Sequence, residues 1–289
     1  MDSGTEQTDE FAHIDWLAGR LGTDPLPAHR VELAEGSVSA IAWGEGEPAF
    51  VLLHGAALNA HSWDSTALLL GRPSLALDLP GHGHSPWRSD LDYRPSTIAG
   101  VLGDAGIWGA GPVLVGHSWG GLTSLALLPQ LAVRPRALVL VDITPGTVRR
   151  DQPRPPTVFS GGLRFASTDA AIDWAIEHGL GSDRDALRLG IGFNTRTNAD
   201  GTVEFRHHFA HFGPEEGITA EDPAGLWAGL DPEIPFTVVR GTRGFLGPER
   251  IAELREHAPW AEVIDVEAGH NVHQNAAPEM AAILRDIAG

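Results

Sequence analysis

A serine flanked by glycines is the first feature of the chain that suggests chemistry. Ser118 lies in Gly116-His117-Ser118-Trp119-Gly120, which has the form G-x-S-x-G. The apolar run before it is typical of a strand, and the run after it is typical of a helix. A serine at such a sharp turn presents its hydroxyl at a sheet edge, and glycines two positions away relieve crowding. The pattern predicts a nucleophile, the alternative being a serine that only caps the helix.

A serine nucleophile needs a base to take its proton, and the chain offers 14 histidines. His270 ends the stretch Glu267-Ala268-Gly269-His270, which follows the last predicted strand. Because the carboxyl ends of parallel strands meet at one edge of a sheet, this loop is expected near Ser118. We therefore predict that His270 is the base, with His273 as the alternative.

Four other histidines have simpler interpretations. His82 and His84 lie in DLPGHGHS, where hydrogen bonds to loop backbone are expected. His207 and His211, in RHHFAH, have the i and i+4 spacing of zinc ligands on a helix. The glutamate of an H-E-x-x-H motif and a clear third ligand are missing. We therefore expect solvated histidines there and predict no metal site.

Backbone amides near the serine are candidates for an oxyanion hole, the set of donors that binds a developing negative oxygen. The stretch His54-Gly55-Ala56-Ala57 ends the third predicted strand. We predict that the N–H groups of Ala56 and Trp119 hold the oxyanion, each contributing about 3–4 kcal/mol to transition-state stabilisation. The alternative is a tight turn that needs Gly55 and gives Ala56 no role.

Composition excludes several other chemistries. The 289 residues include neither cysteine nor lysine, which rules out disulfides, thiolate metal sites and Schiff-base chemistry. The formal net charge of −18 disfavours binding to nucleic acid or to anionic membranes. No run is long and apolar enough to span a bilayer, and the N-terminus MDSGTEQTDE is unlike a signal peptide. We expect a cytoplasmic protein.

Apolar runs and helical runs alternate along most of the chain. The strand-like runs include PAFVLLHG, SLALDLP, GPVLVGH and RALVLVDITPG, and segments such as RPSTIAGVLGDAGIW between them have helical spacing. Continuous apolar strands separated by helices are typical of a parallel sheet with helices on both faces. The predicted fold class is therefore α/β.

The alternation stops between residues 146 and 231. Proline, glycine and polar residues there separate short helical pieces such as TDAAIDWAIEHGL and DRDALRLGIGF. The segment is too long for a loop and has too few strand-like runs for a second sheet, so we expect a helical cap over the carboxyl edge. The chain then divides into an N-terminal extension (1–29), a core (30–145 and 232–289) and the cap (146–231).

Four motifs occur in a fixed order, namely HGAALNAHSWD, DLPGHGHS, GHSWGG and GHNVH. In this combination the chain resembles the α/β-hydrolase fold family from about residue 30 to its end. The resemblance implies an eight-stranded, mostly parallel sheet and a variable cap inserted after strand six. It also implies a catalytic triad in the order serine, acid, histidine, and no cofactor.

The chain departs from the family pattern at the acid. Most members have it after strand seven in the form G-x-x-D, where this sequence has Gly241-Thr242-Arg243-Gly244. The next carboxylate, Glu249, is expected to start a helix. Haloalkane dehalogenases and some lactonases of the family carry the acid after strand six, where this chain has Asp142, 24 residues after Ser118. We predict that Asp142 is the acid, the alternative being a carboxylate that caps the loop.

These residues together predict a serine hydrolase that cleaves a carboxylic ester or lactone through an acyl-enzyme intermediate. The expected partner is a small-molecule substrate, and the oligomeric state is not predicted. A carbon–carbon bond hydrolase or a perhydrolase on the same fold remains an alternative. So does a non-catalytic ligand-binding protein, for which the empty acid position after strand seven is the motive.

Aromatic side chains suggest that the ligand is apolar. We expect Gly55 and Trp119, beside the nucleophile, and Trp174, in the cap, to contact the substrate. Packing of the cap aromatic residues against one another is the alternative. Other aromatic residues of the cap include Phe193, Phe209, Phe212 and Trp227.

Overall fold

The computed structural model of the protein describes residues 10–109, 111–147, 161–178, 183–213, 216 and 221–289. The described strands are β1 (Ala28–Leu33), β2 (Val38–Trp43), β3 (Phe50–Leu53), β4 (Ser74–Asp78), β5 (Val113–His117), β6 (Ala137–Val141), β7 (Arg164–Phe165), β8 (Thr195–Thr197), β9 (Val203–Phe205), β10 (Phe236–Gly241) and β11 (Glu262–Val266). The described helices are α1 (Ile14–Leu21), α2 (Asp64–Leu70), α3 (Pro95–Gly103), α4 (Trp119–Leu127), α5 (Thr168–Glu177), α6 (Arg184–Asn194), α7 (Pro223–Ala228), α8 (Pro248–His257), α9 (Val272–Asn275) and α10 (Ala277–Ala288).

The main sheet has eight strands in the order β1-β2-β4-β3-β5-β6-β10-β11. The β2 strand runs antiparallel to both of its neighbours, and the pairings from β4 to β11 are parallel. Every residue of β3, β5 and β6 is buried, as expected for central strands covered on both faces. The prediction of a mostly parallel, eight-stranded sheet is confirmed.

Two hydrophobic layers cover the two faces of this sheet. One layer includes apolar residues of α3, α4 and α8, and the other includes those of α1, α2 and α10. Ile14, Leu17 and Ala18 of α1 belong to the second layer, so this part of the N-terminal extension packs into the core. Among the described residues, no helix is long and apolar enough to cross a membrane.

The region between β6 and β10 contains a second sheet, which corrects the expectation of a purely helical cap. Strands β7, β9 and β8 pair antiparallel in that order beside α5 and α6. These strands are two or three residues long, too short to produce an alternating pattern. The Asp200-Gly201 pair in the turn between β8 and β9 was a readable hairpin signal, and Gly201 has the positive φ of 83° that such turns favour.

The cap region is joined to the main core. Phe165, Ile172 and Phe205 belong to a separate hydrophobic cluster of this region. Phe209 and Trp227, although they lie between residues 146 and 231, pack into the main hydrophobic layer. The predicted boundaries at residues 146 and 231 therefore do not coincide with the limits of the described hydrophobic clusters.

Candidate active site

Ser118 occupies a strained turn between β5 and α4. Its φ of 51° and ψ of −115° lie outside the regions that L-residues favour. The Ser118 carbonyl accepts hydrogen bonds from the N–H groups of Gly121 and Leu122, which starts α4 immediately. The chain thus reverses from strand to helix within one residue, which is the local geometry expected of the G-x-S-x-G motif.

The glycines of the motif lie where a side chain has no room. A Cβ atom on Gly116 would lie 2.5 Å from Ser124 Oγ and 2.6 Å from the Gly120 carbonyl oxygen. A Cβ atom on Gly120 would lie 2.5 Å from the carbonyl oxygen of His54 at the end of β3. Because these contacts are with backbone or with a buried hydroxyl, larger residues would push the turn out of place. The crowding predicted from the sequence is present.

Asp142 follows β6 directly and is fully buried. One carboxylate oxygen, Oδ2, accepts hydrogen bonds from His270 Nδ1 at 2.7 Å and from the Phe245 N–H at 2.7 Å. The other oxygen, Oδ1, accepts from the Gly241 N–H at 3.1 Å. Donation by Nδ1 leaves His270 Nε2 as the proton acceptor of the ring. The structure therefore brings together the acid and the base that the sequence singled out.

The G-x-x-G segment after β10 accommodates this acid. A Cβ atom on Gly244 would lie 2.2 Å from Asp142 Oδ2, so a side chain here would displace the carboxylate. Glu249, the alternative acid, is exposed in the first turn of α8. Most family members have an aspartate after the strand that is β10 in this protein. Here the backbone at that position instead closes around the carboxylate that follows β6.

Phe245 is a further neighbour of the site. Its ring stacks on the His270 ring with 3.7 Å between centroids and 16° between planes, and the residue is 61% exposed. The His270 ring also lies 4.6 Å from the His117 ring, and His117 Nε2 donates to the His270 carbonyl at 3.1 Å. His270 is therefore held between β5, which leads into Ser118, and the segment after β10. No sequence motif marks Phe245.

His273, the alternative base, is a packed core residue. It is fully buried, and its ring lies 4.3 Å from the Trp63 ring and 4.5 Å from the His117 ring. Desolvation is the main cause that lowers the pKa of His273 to about 3 and the pKa of His117 well below its usual value. Both rings are neutral at pH 7, and His273 is shielded from any substrate.

The loop after β3 lies against the nucleophile turn. A Cβ atom on Gly55 would lie 3.1 Å from Ser118 Cβ, so the Gly55 backbone is adjacent to the serine. His54 Nδ1 donates to the Gly55 carbonyl at 2.7 Å, and His82 Nε2 accepts from the Ala57 N–H at 3.1 Å. Burial lowers the pKa of His54 to about 4 and that of His82 to about 3. His82 makes the loop contacts expected of it.

One residue of the cap region also holds this loop. Asn194, at the end of α6, donates from Nδ2 to the Ala57 carbonyl at 2.7 Å. Asn59 Nδ2 donates in turn to Asn194 Oδ1 at 3.4 Å. The segment that contains Ala56 is thus fixed by side chains from the loop after β3, from the loop after β4 and from the cap. No sequence motif marks Asn194.

The expected substrate contacts differ in their surroundings. Gly55 lies beside Ser118, and its contact with substrate stays a prediction. The Trp119 indole is 2% exposed and donates from Nε1 to the Tyr93 carbonyl at 3.1 Å, so its side chain offers almost no free surface. Trp174 packs against Phe165 in the hydrophobic cluster of the cap region. Contact of these two tryptophans with substrate stays a prediction.

The histidines of RHHFAH do not lie on one α-helix, although their i and i+4 spacing would allow it. Residues 208–211 form a 3₁₀ turn, so the i and i+4 positions do not share one α-helical face. His207 is fully buried and its Nδ1 accepts from the Ala210 N–H, whereas His211 Nε2 donates to the Phe205 carbonyl. The expectation that His207 is solvated is wrong because its ring caps this turn inside the protein.

Comparisons with known proteins give matches that cover most of the chain. Residues 50–283 match the model of the alpha/beta hydrolase family. Esterase Rv0045c of Mycobacterium tuberculosis is 34% identical over 96% of this chain and 95% of its own length. A structure of that esterase, solved in work on its inhibition by transition metals, has a TM-score of 0.84 at 31% identity and covers 97% of this chain and 99% of that chain. The sn-1-specific diacylglycerol lipase ABHD11 of Mus musculus is 36% identical over 79% of this chain and 76% of its own length.

Proposed function

Because the chain belongs to the alpha/beta hydrolase family and is an enzyme that hydrolyses ester bonds, we propose that Ser118, His270 and Asp142 are its catalytic triad. One observation carries the proposal. The strained serine ends a strand at the same sheet edge where a buried carboxylate holds a histidine at 2.7 Å. Strain at a non-glycine residue persists only where the surrounding structure enforces it, and it is typical of active sites.

In the proposed mechanism, the Ser118 hydroxyl attacks the ester carbonyl carbon while His270 Nε2 takes its proton. Asp142 accepts the hydrogen bond of Nδ1, which fixes the tautomer and stabilises the imidazolium that forms. His270 then protonates the departing alcohol, leaving an acyl group on Ser118. A water molecule, activated by the same nitrogen, releases the acid and restores the serine.

We propose that the oxyanion is bound by the backbone N–H groups of Ala56 and Trp119. The contact between Gly55 and Ser118 supports the first donor, since Ala56 is the next residue. Trp119 is the first residue of α4, where the helix dipole favours negative charge. Hydrogen bonds from His54 to the Gly55 carbonyl and from the Ala57 N–H to His82 fix the loop on both sides of Ala56.

We propose a small, apolar carboxylic ester or lactone as substrate. The exposed ring of Phe245 on His270 supports this class, because it provides apolar surface beside the reacting group. The region 146–231 is proposed to select the substrate as a cap, since its Asn194 reaches the loop that contains Ala56. The other parts of the proposed division are the extension 1–29 and the core, 30–145 with 232–289.

A fluorophosphonate probe tests the serine directly. Wild-type protein is expected to react covalently at Ser118, and mass spectrometry of the labelled peptide identifies the site. The matched control is Ser124→Ala, which removes a hydroxyl further along α4 and is expected to leave labelling intact. Labelling that survives in Ser118→Ala would refute the proposed nucleophile.

A panel of substrates tests the substrate class. Aryl and alkyl esters and lactones of increasing acyl length, together with a vinylogous diketone, are compared by kcat/KM. Short apolar esters or lactones are expected to give the highest values. A preference for charged acyl groups would contradict the proposed substrate class, and turnover of the diketone alone would indicate carbon–carbon bond cleavage.

A further inference from the structure

Outside the proposed active site, two histidines converge on one buried carboxylate. His13 precedes α1, His61 lies in the 3₁₀ turn Ala60–Trp63, and Asp64 starts α2. His13 Nε2 and His61 Nδ1 each lie 2.8 Å from Asp64 Oδ2. All three potential ligand atoms lie within 4.8 Å of one another. We refer to His13, His61, Asp64 and their neighbour Glu10 as the N-terminal cluster.

One oxygen of the Asp64 carboxylate in this cluster can still accept a ligand. The side chains of His13, His61 and Asp64 are only 9%, 5% and 5% exposed. Asp64 Oδ1 is buried and has no hydrogen-bond partner among the described residues. A buried carboxylate oxygen without a partner is costly, so this atom calls for a ligand that the protein chain does not supply.

The outer nitrogens of both rings have acceptors already in place. His61 Nε2 lies 3.0 Å from Glu10 Oε1, and His13 Nδ1 lies 3.2 Å from the Glu10 carbonyl oxygen. Arg30 holds the Glu10 carboxylate through its guanidinium. A histidine that binds a metal typically donates its other ring N–H to a carboxylate or to a backbone carbonyl, which fixes the ring and its tautomer. Both arrangements occur here.

We propose that His13 Nε2, His61 Nδ1 and Asp64 form a binding site for a divalent transition metal ion, with Zn²⁺ as the reference ion. Two imidazole nitrogens and one carboxylate are ligands that Zn²⁺ accepts, at about 2.0–2.1 Å in tetrahedral geometry. That geometry separates neighbouring ligand atoms by about 3.3 Å. The observed 2.8 Å separations therefore need to open only slightly for an ion to replace the hydrogen bonds.

The position of the cluster indicates that a bound ion would hold the N-terminal segment to the core. His13 belongs to the N-terminal segment, His61 belongs to the connection between β3 and α2, and Asp64 is the first residue of α2. Phe193 of α6 stacks on the His61 ring with 3.7 Å between centroids and 12° between planes. A bound ion would thus join the N-terminal segment to the start of α2, next to Phe193 of α6. Because it binds only the folded protein, it is expected to raise the melting temperature.

Calorimetric titration of chelator-treated, full-length protein with ZnCl₂ tests the site without any substrate. Wild type is expected to bind a single ion per chain with saturation. His13→Gln and His61→Gln are each expected to weaken binding by about 100-fold or more, and Glu10→Gln by about 10- to 100-fold. His29→Gln, which replaces an exposed histidine on β1, is the matched control and is expected to leave affinity unchanged.

X-ray absorption at the zinc edge provides the coordination shell, with nitrogen and oxygen expected at about 2.0–2.1 Å. Circular dichroism confirms that each variant is folded, and either histidine variant alone is sufficient for the test. Absence of saturable binding in the wild type would overturn the proposal. So would full affinity in both histidine variants, and loss of binding in His270→Gln instead would locate the ion at the active site. Ser118→Ala is expected to bind zinc normally, which separates this proposal from that of the nucleophile.

Discussion

Buried histidines near the nucleophile and His61 of the N-terminal cluster differ in charge, although all of them are largely removed from water. Desolvation lowers the pKa of His54 to about 4 and that of His273 to about 3. Desolvation also acts on His61, but the neighbouring Asp64 and Glu10 carboxylates outweigh it and raise its pKa to about 9. Burial alone therefore does not determine the protonation of a histidine, because carboxylates in contact reverse its effect.

In each of these two regions a phenylalanine stacks on a histidine, but the surroundings of the two phenylalanines differ. Phe245 lies 3.7 Å from the His270 ring and is 61% exposed, at the edge of the proposed active site. Phe193 lies 3.7 Å from the His61 ring and links α6 to the N-terminal cluster. The first contact borders solvent at the edge of the proposed active site, whereas the second joins parts of the protein. We expect mutations in the first region to affect turnover and mutations in the second to affect stability.

The largest expected effect is at the nucleophile. Ser118→Ala should lower kcat on a small aryl ester by about 10⁶-fold, because the covalent route is lost. The free energy of unfolding should change little, since one hydroxyl is removed at a turn. Steady-state kinetics and urea unfolding of the same preparation measure both quantities. Residual turnover near the wild-type rate would mean that the turn at Ser118 does not supply the nucleophile.

The second-largest expected effect on kcat is at the proposed acid, Asp142. Asp142→Asn should lower kcat by about 10³- to 10⁴-fold, because an amide can hold His270 in the wrong tautomer and cannot stabilise the imidazolium. Glu249→Gln is the matched control and should change kcat little, since this residue is exposed at the start of α8. A large loss in Glu249→Gln with normal turnover in Asp142→Asn would reassign the acid. Normal turnover in both would indicate a catalytic dyad.

Low pH should lower the free energy of unfolding because of the buried, neutral histidines near the nucleophile. His54, His82 and His273 have folded-state pKa values of about 4, 3 and 3 against 6.5 for the free side chain. The contribution of these three histidines to the free energy of unfolding is complete above pH 6.5. It is lost as the pH falls toward 4, because the unfolded chain binds protons first. Each should reduce the free energy of unfolding by about 1.4 kcal/mol per pH unit in that window.

Urea unfolding at several pH values between about 7 and 4.5 measures this slope. His273→Leu is the informative variant, because His273 packs against Trp63 and His117 and lies outside the proposed triad. Its unfolding free energy should depend less steeply on pH than that of the wild type, whatever its absolute stability. An unchanged slope would mean that His273 is protonated inside the fold, like His61, and would remove the contrast between the two regions.

The smallest expected effects are those of replacing Phe245 and Phe193. Phe245→Ala should lower kcat/KM for apolar esters by about 3- to 10-fold, which corresponds to the loss of a single aromatic contact. Phe193→Ala should leave kcat/KM near the wild-type value and lower the free energy of unfolding by about 1–2 kcal/mol. Kinetics and thermal unfolding of the two variants are compared side by side. The opposite pattern would mean that the N-terminal cluster, and not the surface around Phe245, controls turnover.

Much of the fold was predictable from the sequence because its signals are local. The continuous apolar strands and the helices between them predicted the main sheet, which the structure confirms. The small sheet of the cap region was missed because its strands are two or three residues long. Phe245 and Asn194 were missed because neither lies in a motif, and their contacts join segments far apart in the chain.

The sequence by itself determined the turn at Ser118, because a strand, two glycines and a helix within a few residues leave the backbone little choice. Tertiary structure alone decided which carboxylate meets His270, since Asp142 and Glu249 both follow neighbouring strands and only Asp142 is enclosed by the backbone after β10. It also decided the charges of His54, His61 and His273. A side chain's protonation depends on which groups lie within a few ångströms of it, and chain segments as distant as His13 and Asp64 meet only after folding.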